Sequence, residues 1–211
     1  MKKILLTAAL LASSLVLAQN EGSLAEIIKA SASQDFLFTG IEIPVLEQLM
    51  GDTTKSDTKT YNLKDAGGFE SSYKVTKTRS FVQIFESKMT YWVTFNTYVT
   101  LDDAYIGMVT SAQKTSNGRG NDLAFYSIAK KKEVAPTDTK LFNYPQVVAF
   151  ANGKCKVPKE NIHFELKNES DTIKISGFDI FLSGKKYTLA AELKLDGRVG
   201  KFVFDSKNAK C

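Results

Sequence analysis

The chain predicts an α+β fold that is mainly antiparallel β: a curved antiparallel sheet, ending in a C-terminal meander, covered by two or three short helices. Three observations predict it. Residues 162–204 alternate apolar and polar side chains in short runs broken by Asn, Asp and Gly turns. Residues 69–101 are rich in Thr, Val, Tyr and Phe, which suit a pleated, half-buried surface. Two short apolar stripes at helical spacing precede them, and no repeat of fixed period or low-complexity tract interrupts the chain.

The first element is a leader. Lys2 and Lys3 stand before an apolar run, residues 4–17, too short to span a bilayer comfortably, and Val16 and Ala18 suit signal-peptidase cleavage. Residues 1–18 therefore read as a signal peptide removed after Ala18, with residues 19–211 a single β-rich domain, periplasmic or secreted. No cysteine follows the run, so the bacterial lipid-anchor site is missing, and no second stretch reaches transmembrane length. With Lys2 and Lys3 gone from 28 basic residues against 23 acidic, the formal charge falls from +5 to +3. That balance, and export itself, disfavour nucleic acid as a partner. Lys130, Lys131 and Lys132 form the only dense basic cluster and read as a solvated turn or strand end.

The mature chain opens with Ser23 and Glu26, a capping box before Leu24, Ile27 and Ile28, which predicts a helix to about Ala32. Pro44 then suits a first helical turn, Val45, Leu46, Leu49 and Met50 supply an apolar stripe, and Gly51 ends it. Residues 52–60 carry Thr, Lys, Asp and Ser, and read as an exposed loop. Two long strands follow, separated by a turn at residues 86–88. In the second, Tyr91, Val93 and Phe95 share a face predicted to be core, while Trp92, Thr94, Asn96, Tyr98 and Thr100 share the other. Thr100 and Asp103 repeat the capping-box spacing and predict a helix over residues 101–114, although Gly107 and the β-branched content suit a strand too. Residues 123–129 read as a short strand, and Pro145 can start a helical turn. The meander follows: Ile162, Phe164 and Leu166; Ile173 and Ile175; Phe178, Ile180 and Leu182; Leu189, Ala191, Leu193 and Leu195; and, after an Asp196–Gly197 hairpin signal, residues 199–204.

Little chemistry is assembled. His163 is the only histidine; on its strand it shares the solvent face with Glu165 and Lys167, so no catalytic triad or histidine-rich metal site is expected. Asp102 and Asp103 are adjacent and point apart, while Glu165 and Glu192 lie among lysines on polar faces. No catalysis, cofactor or metal is expected. Cys155 and Cys211, an even count in an oxidising compartment, predict one disulfide that pins the C-terminus and closes a loop worth about 4 kcal/mol in the chain-entropy model.

Two binding roles fit this chain. One is a carrier that holds an apolar ligand, a lipid or acyl chain, against a curved sheet, with Tyr91, Val93, Phe95, Leu189 and Leu193 as its lining. The alternative is an interaction module, an envelope-assembly factor, inhibitor or adhesin, whose protein or glycan partner meets Trp92, Tyr98 and the neighbouring threonines. Sheet closure separates a cavity from a flat surface, and hydrophobic alternation is the same in both.

Overall fold

The computed structural model describes residues 24–32, 41–64, 66–88, 91–100, 103–112, 121–134, 141–168, 170–178 and 188–211. The predicted leader, the cap at Ser23 and the alternation at Ile180 and Leu182 lie outside them. Helices α1 (Leu24–Ala32) and α2 (Ile43–Met50) come first. Seven strands follow: β1 (Asp57–Lys64), β2 (Glu70–Lys77), β3 (Phe81–Glu86), β4 (Tyr91–Val99), β5 (Ala104–Ala112), β6 (Asn121–Ser127) and β7 (Lys132–Val134). They pair antiparallel in chain order as one curved, open sheet with β1 and β7 at its edges. After α3 (Tyr144–Phe150) and a turn of π-helix (Ala151–Cys155), strands β8 (Ile162–Leu166), β9 (Thr172–Phe178), β10 (Thr188–Asp196) and β11 (Lys201–Phe204) form a second antiparallel meander. The fold is thus mostly antiparallel β with a few short helices, as the alternation and the helical stripes predict.

Each face of the large sheet carries a buried core, against a different partner. On one face, Leu24, Ala25 and Ile28 of α1 and Val45, Leu46, Leu49 and Met50 of α2 pack on Val75, Ile84, Val93, Phe95, Ile106, Met108 and Tyr126. On the other, Tyr98, Val109, Leu123 and Phe125 meet the second meander and α3 through Phe142, Val147, Phe164, Ile175, Leu193 and Phe202. The pleat sends alternate residues of β4 to β6 into these two cores. One seam between the sheets is polar: Asn96 Nδ2 donates to the Ser170 carbonyl at 2.9 Å.

Helix α2 begins and ends where its residues dictate. Pro44 occupies the first turn, where its missing N–H costs nothing, and Gly51 takes φ 46 at the end, its N–H donating to Glu47 O at 3.2 Å. The side chain of Asn143 caps α3 by accepting from Gln146 N.

Four local expectations are corrected. Residues 57–60 belong to strand β1, because this half of the edge strand is exposed on both sides and needs no apolar residues, only backbone pairing with β2. The first of the two long strands is two, β2 and β3, joined at residues 78–80. Within the predicted helix over 101–114, Ala104–Ala112 is strand β5: Thr100 and Asp103 close a tight turn instead, Thr100 N donating to Asp103 O at 2.8 Å and Asp103 N to Thr100 Oγ1 at 3.1 Å. The Asp196–Gly197 pair opens a longer loop than a two-residue hairpin. Asp196 pairs with Lys201, and its carbonyl accepts from Val199 N and Gly200 N, with Gly200 at φ 65.

Candidate functional site

The residues read as an apolar lining do not share a space. Val93 and Phe95 are fully buried under the helices, and half-buried Tyr91 packs at the rim of the same core. Leu189 and Leu193 are equally buried, but in the core between the two sheets. The large sheet stands between the two groups. Each of the four buried side chains is packed among others, as ordinary core is.

Trp92 and Tyr98 share a face of β4 as expected, yet six residues of extended chain, about 20 Å, separate them. Tyr98 lies in the inter-sheet core at 2% exposure, its ring edge-on to Phe202 with centroids 4.9 Å apart. Its hydroxyl is sealed from water without a hydrogen-bond partner by geometry among the described residues. Burial pushes its ionisation well above the ordinary tyrosine range; the Asn96 side chain pulls the other way, and the charge of Asp171 adds slightly to the rise. Tyr98 belongs to the core and presents nothing to a partner.

Trp92 is different. It is half-buried and stacks at a tilt on Phe85 of β3, its cross-strand neighbour, with ring centroids 4.9 Å apart. The strand pairing runs a transverse row through these rings: Thr60, Lys74, Phe85, Trp92 and Ser111, one residue from each of β1 to β5. Five strands at normal spacing make this row about 19 Å long. A parallel row two residues along holds Thr58, Thr76, Gln83 and Thr94, in which Thr58 Oγ1 donates to Thr76 Oγ1 at 3.2 Å and Gln83 Nε2 donates to Thr94 Oγ1 at 3.3 Å. Lys74, Thr58 and Thr60 are exposed, and Phe85, Gln83 and Thr76 half-buried. An aromatic pair in a field of hydroxyl, amide and ammonium groups can stack a flat ligand and hydrogen-bond its rim.

Phe85 carried only a partial signal in the sequence. A turn near residues 86–88 makes a hairpin of the two strands, but centred on residue 87 it would pair 85 with 89; the Glu86–Tyr91 pair that closes the hairpin is what sets residues 85 and 92 directly opposite. Lys74 had no such signal, because its place in the row depends on the turn at 78–80.

The remaining polar candidates are spread over several elements. His163 is half-buried on the outer face of the second sheet beside exposed Glu165 and half-buried Lys167. Glu165 and Glu192 flank Lys174, each paired with it in register. Lys130, Lys131 and Lys132 are exposed around the β6–β7 turn. Asp103, 3% exposed, organises that turn: its carboxylate accepts from Ala104 N at 2.8 Å, from Ala129 N at 3.0 Å and from Ser127 Oγ. Among the described residues no three His, Cys, Asp or Glu side chains gather as metal ligands.

Cys155 and Cys211 form a disulfide, with Cα atoms 4.9 Å apart. The preceding residue continues the second sheet, since Lys210 exchanges both backbone hydrogen bonds with Ala190 at 2.8 and 2.9 Å. No helix among the described residues is long and apolar enough to cross a membrane.

No protein-family model matches the chain, and no curated protein matches it. Among solved structures it is similar to a domain of an uncharacterized protein from Porphyromonas gingivalis W83, at 17% identity and a TM-score of 0.53 over 79% of this chain and 90% of that one. That likeness extends to the fold alone.

Proposed function

We propose that this protein is an exported, non-catalytic binding module that holds a glycan against the face of its large sheet centred on Phe85 and Trp92. The observation that carries the proposal is the stacked, half-buried Phe85–Trp92 pair crossing a row of polar side chains. The C–H face of a sugar ring is apolar and flat and packs on an aromatic ring, while its hydroxyls exchange hydrogen bonds with Thr, Gln and Lys groups around it. An acyl-chain carrier would need Val93 and Phe95 to share a cavity with Leu189 and Leu193, and these pairs occupy separate cores.

Trp92 is the only tryptophan, so intrinsic fluorescence reports the site directly. Titration of the mature chain with a panel of soluble polysaccharides should shift the emission of Trp92. Trp92→Ala should keep the fold by circular dichroism and lose retardation in affinity electrophoresis. A folded Trp92→Ala protein that is retarded as strongly as the parent would sink the site. Export is checked by the mass of the product recovered from a bacterial periplasm, which should begin at Gln19.

A further inference from the structure

We infer that the glycan is an acidic one, carrying carboxylates on its sugar units, and that Lys74 is the residue that selects it; this rests on the Phe85–Trp92 face being a glycan site. The inference comes from the charges on that face. Asp57 projects to the opposite side of β1, where it pairs with buried Lys77 at 3.6 Å. Glu86 also faces away, 5% exposed and accepting from Lys88 N at 3.0 Å. Among the described residues of β1 to β5, Lys64, Glu70 and Lys74 are the charged side chains on the face, and Lys64 and Glu70 stand directly opposite each other across β1 and β2.

Lys74 is left as the net charge. It is exposed, lies directly opposite Phe85 in the ladder, and among the described residues has no carboxylate within 4.0 Å. A cation one strand from a stacking platform complements an anionic group projecting from the rim of a stacked ring. Lys88, whose Nζ lies 5.3 Å from the centre of the exposed Phe69 ring, adds positive potential at the same end of the sheet.

The test uses the mature chain and three acidic polysaccharides, polygalacturonate, alginate and hyaluronate, each beside its methyl-esterified form, with dextran and xylan as neutral polymers. Esterification removes the charge and keeps the ring. At least one acid form should bind about fivefold or more tightly than its ester, the scale of one exposed ion pair, and more weakly as salt is raised. Lys74→Gln should bring the acid form down to the affinity of the ester without changing the melting temperature. Lys130→Gln, a distant exposed lysine, should leave binding unchanged; an equal loss there would show general charge attraction and overturn the assignment. Esters or neutral polymers binding as tightly as the acids would overturn the acidic ligand and leave the glycan site standing. A folded protein that binds none of these saccharides, acidic or neutral, would overturn both.

Discussion

Lys77 Nζ lies 2.8 Å from the carbonyl oxygen of Met50, the last residue of α2, and 3.1 Å from that of Asp52. A strand lysine that is 3% exposed thus closes the open end of the helix packed above it, where unsatisfied carbonyls and the helix dipole favour a cation. Asp57, on the neighbouring strand, completes its coordination. Lys77→Met keeps the volume and strips the donor, leaving the Met50 carbonyl buried without a partner. The expected loss is about 1–3 kcal/mol, read as a lower urea midpoint with unchanged slope.

Gly107 on β5 is where the Tyr98 ring lies across the sheet. A Cβ there would sit 2.7 Å from Tyr98 Cε2 and 3.4 Å from Phe125 Cε1. Gly107→Ala should therefore destabilise by about 1–3 kcal/mol. Combining it with Tyr98→Leu should cost less than the sum of the two single changes, because the shorter side chain vacates the clash. The double-mutant cycle in urea reads the coupling.

The Tyr98 hydroxyl makes a pH prediction. Its ionisation is raised in the folded state by burial, so the unfolded chain releases that proton first, near the ordinary tyrosine value of about 10. The stability it confers is complete below about pH 10 and falls as pH rises above it, since the native state then holds more protons than the unfolded one. Tyr98→Phe should flatten this alkaline decline in the denaturation midpoint. It should be neutral or stabilising by up to about 1 kcal/mol near pH 7, because it removes a buried hydroxyl that has no hydrogen-bond partner by geometry among the described residues.

Buried Asp103 gathers two backbone N–H groups and the buried Ser127 hydroxyl. Asp103→Ala would orphan all three at once, at an expected cost of about 3 kcal/mol or more. Hydrogen exchange should show the loss first at Ala104 and Ala129. Protection in β9 and β10 should fall only with global unfolding.

Removing the disulfide should cost up to about 4 kcal/mol, the loop-closure value for this separation. The paired Cys155→Ala, Cys211→Ala variant and the reduced parent should melt together, below the oxidised parent. Lys210 should also lose amide protection, because its pairing with Ala190 is held in place by the covalent link beside it.

How far the sequence could be read depended on whether the determining contacts were local. The two helices were legible because Pro44, Gly51 and the Leu24–Ile28 stripe act within a few residues, and the meander was legible because strict alternation from Ile162 to Leu166 has one meaning when one face is buried. Strand β1 was not, because its polar residues are held by backbone pairing with β2 that no side chain announces. Thr100 and Asp103 misled for a related reason: the same side-chain-to-backbone bonds that begin a helix also close a turn.

The candidate site divides in the same way. Alternation along β4 is a property of the chain, and it placed Trp92 and Tyr98 on one face and Val93 and Phe95 on the other. Which part of each face is covered is a property of the assembled layers. The second meander packs on the Tyr98 end of β4 and seals it, whereas Trp92, about 20 Å along the strand, stays half-buried against Phe85. Local periodicity carried the helical stripes and the strands of the second meander, and the even cysteine count carried the disulfide. Burial of the second face, the separation of the apolar residues into two cores and the isolation of Lys74 beside an aromatic pair arose only when the sheets packed, because each depends on neighbours remote in sequence.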